Sequence, residues 1–401
     1  MNPKLATQNS QLVTLLLPFG YLYGQIMRWR AKLYDFVLFK TRSLPCRVIS
    51  IGNLTLGGTG KTPLTIWLAK YLKGKGQKVA IVSRGYKAKN KGPVSVVSDG
   101  RRTLLASDEA GDEPFMMASS LPGVPLLIGN KRFPVGMRAI EDFSPDVVLL
   151  DDGYQHLGLA RDLNLLLLRT INPFGNGRVF PAGTLREPLS ALKRADAFIL
   201  TYAEEDTEST VEKLRLFLHK EFPDRPVFIS YCKPISFYLL NETFIRLGRT
   251  KDNKKASPSP SSPPIKGGET LLASPLPLRE RARVRGEKAS HNLSELMGRK
   301  ALAFCGIAHP ESFRRTVIHL GIDLVDFMAY RDHYDYHKGD LEKIEERAAG
   351  KGAELIITTE KDAVKIEKLI ELEMSIPIGV LKTEFIFESD FASFIYERIG
   401  I

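Results

Sequence analysis

The sequence predicts an α/β protein built on a mostly parallel sheet, with a larger unit followed by a smaller one of the same class. Three observations predict it. From Arg47 onward, short runs rich in Val, Ile and Leu alternate with helical stretches. The runs are apolar along their whole length, as strands covered on both faces must be. The same alternation starts again near Lys300. At 401 residues, 43% hydrophobic and 26% charged, the chain has the length and composition for two ordinary cores.

In chain order, the expected strands of the larger unit are Val48–Ile51, Val79–Val82, Val94–Val97, Val124–Ile128, Val147–Leu150, Leu163–Leu168, Ala197–Leu200 and Val227–Tyr231. Helical stretches lie at Pro63–Lys73, Glu113–Ser120, Phe133–Phe143 and Glu208–Glu221. The smaller unit reads as strand Ala301–Cys305, helix Pro310–Leu320, strand Leu324–Met328, helix Gly339–Ala349 and strand Leu355–Thr358. Apolar segments Phe237–Leu240 and Gly379–Phe387 flank it and are expected to pair as a β-ribbon joining the units, with a last helix near Asp390–Arg398. The boundaries follow: an apolar helix at 1–30, the larger unit at 31–232, a linker strand at 233–250, an insertion at 251–290, the smaller unit at 291–378, and a return strand with the C-terminal helix at 379–401.

Residues 251–290 hold six prolines, many serines and clustered arginines, a composition that cannot build a core and predicts disorder. Nine Lys/Arg against four Asp/Glu there supply +5 of the net charge of +11. The remainder is only mildly basic, so charge gives no support to a nucleic-acid partner. Cys46, Cys232 and Cys305 are far apart and lack metal-type spacing, which reads as reduced thiols. Near the N-terminus, Leu12–Met27 is mostly apolar, is interrupted by Pro18, Gly20 and Gly24, and is followed by Arg28, Arg30 and Lys32. It is too short to span a bilayer and lacks the flanks of a secretory signal. It reads either as a helix buried against the fold or as one lying in a membrane interface.

The strongest local motif runs from Val48 to Pro63. A strand is followed by Gly57, Gly58, Thr59 and Gly60, then Lys61 and Thr62 open a helix. This is the order of a P-loop, in which backbone N–H groups and a helix N-terminus hold phosphates. Lys61 would reach the β- and γ-phosphates of ATP, and Thr62 would ligate Mg²⁺. Thr55 stands where the strict pattern has its first glycine. A second apolar strand ends in Asp151-Asp152, suited to the metal-side acid of such a site. Thr359-Glu360-Lys361-Asp362 and Asp151-Asp152-Gly153-Tyr154 do not fit the guanine and switch motifs of a GTPase. Kinase or ATPase chemistry is therefore favoured.

Further clusters fall in loops after strands: Ser83-Arg84-Gly85-Tyr86, Gly111-Asp112-Glu113-Pro114, Asn130-Lys131-Arg132, Asp152 to His156, Phe174 to Arg178, Gly183 to Pro188 with Arg186 and Glu187, and Arg331-Asp332-His333-Tyr334. Taken in this order, they resemble the tetraacyldisaccharide 4′-kinase family, which phosphorylates the lipid A precursor at the cytoplasmic face of the bacterial inner membrane. The resemblance covers nearly the whole chain and leaves only 251–290 foreign to it. It implies that Thr59, Lys61 and Thr62 contact ATP, and that Asp151 and Asp152 are metal-side acids with Glu187 close by. It further implies that Asp112 is the base, paired with His333, and that Arg132, His156 and Arg186 steady phosphates or the acceptor sugar. Where the family often shows Asp-His-His, this chain reads Asp332-His333-Tyr334.

A glycolipid acceptor favours the interfacial reading of the N-terminal helix, with Leu15–Leu17, Phe19, Tyr21 and Tyr23 among acyl chains and Arg28, Arg30 and Lys32 toward phosphates. The expected protein is then peripheral or monotopic, without an obligate protein partner. The alternative is a membrane-associated P-loop ATPase that acts as a switch and has no small-molecule acceptor.

Overall fold

A computed structural model describes residues 3–86, 88–89, 92–205, 207–240, 289–367, 369, 374–388 and 390–400, with side chains described from residue 13. The insertion expected at 251–290 lies almost wholly outside the described residues.

Twelve strands form one sheet: β1 (Arg47–Asn53), β2 (Val79–Ser83), β3 (Ser95–Asp99), β4 (Pro125–Ile128), β5 (Val147–Asp151), β6 (Leu163–Arg169), β7 (Ala197–Thr201), β8 (Val227–Leu239), β9 (Lys300–Cys305), β10 (Asp323–Ala329), β11 (Leu355–Thr359) and β12 (Ile378–Phe387). Their order across the sheet is β10-β9-β11-β12-β8-β7-β6-β1-β5-β2-β4-β3. All neighbours are parallel except β3 with β4 and β8 with β12. Every residue of β2, β5, β6 and β7 is buried, which is why these strands read as unbroken apolar runs. Helices are α1 (Pro3–Asp35), α2 (Lys61–Gly74), α3 (Ser107–Ala110), α4 (Asp112–Ser120), α5 (Arg132–Phe143), α6 (Glu208–Glu221), α7 (Pro310–His319), α8 (Lys338–Gly350), α9 (Glu360–Ile366) and α10 (Phe391–Ile399).

The two expected units share this one sheet, because β8 and β12 pair along their length, from Leu239 opposite Gly379 to Ser230 opposite Phe387. The sequence reading ends one strand at Tyr231 and starts another at Phe237, and Pro234 between them cannot donate to a ladder. The strand passes through because the register shifts between Lys382 and Thr383, and the residue opposite Thr383 is Pro234.

This ribbon also makes the cleft. β7 pairs with the first residues of β8, Val227–Ile229, and β11 pairs with the first residues of β12, Ile378–Leu381. Since β8 and β12 are antiparallel, the two parallel sets attach at opposite ends of the ribbon. Their carboxyl ends, where α/β proteins bind ligands, therefore face each other across its middle.

Cores lie on both faces of the sheet. In one, Ile49, Leu64, Leu68 and Leu149 pack with Phe385 and with Phe391, Ile395 and Ile399 of α10, so the C-terminal helix completes the core around β1. Helix α1 packs through its small residues. A Cβ on Gly20 would stand 2.9 Å from both the Ala182 Cβ and the Val179 carbonyl oxygen, so the approach is open only to glycine. Its other face is uncovered: Leu15, Phe19, Leu22 and Trp29 are 69%, 61%, 59% and 64% exposed. Among the described residues, no helix is long and apolar enough to cross a membrane.

Candidate active site

A cavity of about 1060 Å³ occupies the cleft. Gly57, Gly58, Thr59, Gly60, Lys61 and Thr62 line it at the end of β1, and Glu113, Arg132, Asp151, Asp152, His156 and Arg186 surround them. His309, Asp332 and His333 line it from the loops after β9 and β10, and Lys361 from α9.

The loop between β1 and α2 is held from several sides. Gly60 has φ of 85°, and a Cβ there would come within 2.4 Å of the Phe385 ring, so glycine is required twice over. Arg169 donates to the Gly58 carbonyl oxygen at 3.0 Å and Thr201 to that of Thr59 at 3.0 Å. The Asn53 side chain donates to the Thr55 carbonyl oxygen at 2.8 Å, and Thr55 itself is buried and bridged to Leu185. The departure from the strict glycine pattern is thereby accommodated.

Lys61 Nζ lies 3.3 Å from Asn53 Oδ1 and 3.6 Å from Asp152 Oδ1. Arg186 Nη1 donates to both oxygens of Asp152 at 2.9 Å. Burial works to raise Asp152, but Lys61 and Arg186 outweigh it and hold the carboxyl below the usual range. Asp151 differs. It is fully enclosed and accepts from Thr65 at 3.3 Å and Ser83 at 2.9 Å. Burial, with Glu113 and Asp152 nearby, pushes it up to about 6. Asp152 has φ of 52°, outside the ordinary range for a residue with a side chain.

Arg132 opens α5, is 3% exposed, and donates to the Gly129 carbonyl oxygen at 2.7 Å. Burial draws its guanidinium down from the usual value. His156 is pulled down to about 4 by burial and by Arg132, Arg161 and Arg30, so its imidazole is neutral at pH 7. Three buried polar atoms without a hydrogen-bond partner, Thr59 Oγ1, Arg132 Nε and Arg186 Nε, belong to residues on this cavity wall. Orphaned donors beside guanidinium groups are what an absent anion would satisfy.

Asp112 begins α4, and its Oδ2 lies 3.4 Å from Lys365 Nζ and 3.9 Å from His333 Nδ1, both contributed by the smaller unit. The second distance is an electrostatic contact and about 1 Å too long for a hydrogen bond. Burial works to raise Asp112, but His333 and Lys365 keep it below the usual range. His333 has φ of 57° and donates its N–H to the Gly306 carbonyl oxygen at 3.2 Å.

Two sequence expectations need correction. Glu187 is not gathered with Asp151 and Asp152. It is buried, ion-paired with Arg194 and 3.7 Å from Arg30, and it is absent from the cavity wall. Two arginines thus occupy the carboxylate that the R-E-P motif placed beside the metal. Arg30 is likewise turned inward, donating to the Gln155 carbonyl oxygen at 3.0 Å, and does not face lipid.

Sequence reasoning overlooked α9, seven residues and too short for a periodic signal. Its start was readable: Thr359 accepts from the Asp362 N–H at 3.2 Å, an N-cap followed three residues later by an acid.

Residues 12–400 match the model of the tetraacyldisaccharide-1-P 4′-kinase family. The chain belongs to this family. A tetraacyldisaccharide 4′-kinase of Pelobacter propionicus is 41% identical over 355 residues, 88% of this chain and 83% of the relative. The one of Desulfotalea psychrophila is 38% identical over 371 residues, 92% and 93% of the two chains. LpxK from Aquifex aeolicus, solved in complex with ATP, is 31% identical with a TM-score of 0.69 over 97% of this chain and 99% of that one. Membership of this kinase family favours phosphorylation of a hydroxyl over the switch-ATPase alternative.

Proposed function

We propose that this kinase transfers the γ-phosphate of ATP to the 4′-hydroxyl of a tetraacylated glucosamine disaccharide 1-phosphate. The observation that carries the reading is the shared cavity: a phosphate-type glycine loop and His333 line the same space, and Asp112 stands directly behind His333, 3.9 Å from its Nδ1. Gly57 to Thr62 are the residues suited to the ATP phosphates, with Lys61 neutralising charge as the bond to the β-phosphate breaks. Asp112 takes the hydroxyl proton, and His333 orients it. Arg132, Arg186 and neutral His156 steady the phosphate and sugar oxygens. Closing the ~1 Å gap between Asp112 and His333 would couple chemistry to movement of the facing strands, which limits hydrolysis by water.

The residues fit Mg²⁺. Thr62, Asp151 and Asp152 offer hard oxygen donors beside the loop. Among the described residues no cluster of three or more His, Cys, Asp or Glu could cage a metal, and Mg²⁺ at phosphates needs none, taking most of its ligands from phosphate and water. When bound, the ion would neutralise phosphate charge. Since Asp151 is raised to about 6 in the metal-free protein and must be ionised to serve, apparent Mg²⁺ affinity should fall by up to about tenfold per pH unit below pH 6. A Mg²⁺ titration of nucleotide binding from pH 5 to 8 checks this, and an unchanged affinity would remove Asp151 from the metal site.

The uncovered face of α1 supports a peripheral position on the cytoplasmic face of the inner membrane. Replacing Leu15, Phe19 and Leu22 with serine should reduce binding to anionic lipid vesicles severalfold or more while nucleotide binding stays within about twofold. Equal loss of both would mark α1 as a structural helix.

The deciding experiment follows label from γ-labelled ATP to the disaccharide 1-phosphate in mild detergent. ATP hydrolysis at the same rate with no labelled lipid would sink the transfer reading.

A further inference from the structure

Helix α9 sits against the Asp112–His333 pair. Lys361 and Lys365 are four residues apart and so share one helix face. Lys365 Nζ, on a side chain only 6% exposed, lies 3.4 Å from Asp112 Oδ2 and donates to the Tyr334 carbonyl oxygen at 2.9 Å. It therefore joins the carboxylate of α4 to the residue following His333. Lys361 Nζ lies 2.8 Å from Asp332 Oδ1 and 3.3 Å from His333 Nε2.

Beneath them the helix is fastened by Asp362, which is fully buried. Its carboxylate accepts from the Gly306 N–H at 3.0 Å, Tyr336 Oη at 3.2 Å and Thr359 Oγ1 at 2.7 Å. Gly306 is also the residue whose carbonyl oxygen holds the His333 N–H. One buried carboxylate thus fixes the lysine-bearing helix and the histidine loop relative to each other.

A lysine ammonium has donors and no acceptor. Asp332 Oδ2 faces the same nitrogen at 4.0 Å, too far to accept its proton, while Lys361 stands at 3.3 Å; Nε2 therefore offers its lone pair to Lys361, and the neutral ring carries its proton on Nδ1, the nitrogen facing Asp112. We propose that Lys361 and Lys365 are positioning residues: Lys361 sets the tautomer of His333, and Lys365 locks Asp112 to the loop that carries it. Once the ~1 Å gap closes, His333 acts as a hydrogen-bond donor to Asp112 through Nδ1–H, and the proton leaving the substrate hydroxyl stays on Asp112. This rests on the assignment of Asp112 as the base.

The test uses the full-length protein with ¹⁵N-labelled histidine and the His333→Gln spectrum as the assignment difference. The neutral wild-type ring should show a protonated Nδ1 and a pyridine-type Nε2. In Lys361→Met that signature should give way to a tautomer mixture, with kcat for label transfer to the disaccharide down about tenfold and both KM values within about twofold. Lys365→Met should lower kcat by a similar factor, and Lys365→Arg should recover most of it. A wild-type ring protonated on Nε2 overturns the proposal whatever the variants do. So does Lys361→Met with an unchanged signature, or with a rise confined to the disaccharide KM, which would make Lys361 a substrate contact. Failure of the underlying assignment looks different: Asp112→Asn would retain full kcat while the wild-type histidine spectrum is as expected.

Discussion

Asp112→Asn should lower kcat for phosphate transfer by about 10²–10⁴-fold, the usual range for loss of a positioned general base. The KM for ATP should change little. Asp112 makes its contacts with Lys365 and His333, whereas Lys61 is engaged by Asn53 and Asp152. Because Asp112 is held below the usual carboxylate range, it is ionised across neutral and mildly acidic pH. The wild-type acid limb assigned to this group should therefore appear only below that range. The comparison variant is Glu113→Gln. Glu113 lines the cavity directly and lies 3.9 Å from Lys361. If Glu113→Gln proves the more damaging of the two, the base is Glu113 and Asp112 merely supports the histidine.

Lys61→Met should reduce transfer by about 10²–10³-fold, the cost of removing one preorganised charge from a phosphoryl-transfer site. Stability should be nearly unaffected. The side chain is partly exposed, and its carboxylate partner Asp152 keeps Arg186 at 2.9 Å. A thermal melt within a few degrees of wild type, beside a lost transfer signal, is the expected pair of results. Full transfer by the variant would mean that the glycine loop does not hold the reacting phosphate.

The glycine loop, the paired aspartates and the strands were legible because each is written in contiguous residues. A strand buried on both faces is apolar throughout, and β5 and β6 declare themselves without any partner in view. Contacts between distant segments are not written that way. The sequence places Glu187 two residues beyond Leu185 in a promising motif, and nothing local indicates that Arg194 and Arg30 will claim its carboxylate. The continuity of β8 was hidden because Pro234 is tolerated only where β12 shifts register. Lys361 and Lys365 were passed over for a third reason: α9 spans barely two turns, and its importance comes from Asp112 and His333, which lie far away in sequence.

The position of α10 has a consequence for how the chain is born. Phe391, Ile395 and Ile399 share a core with Ile49 and Leu64, so the core around β1 is not finished until α10 has left the ribosome. That core cannot be completed early, as the core of a separable N-terminal domain can during synthesis. The face of β1 that it covers stays open until then, and the long-range pairing that closes the core predicts slow folding. The two lobes are for the same reason not severable: a fragment ending before β12 would lack part of its own interior.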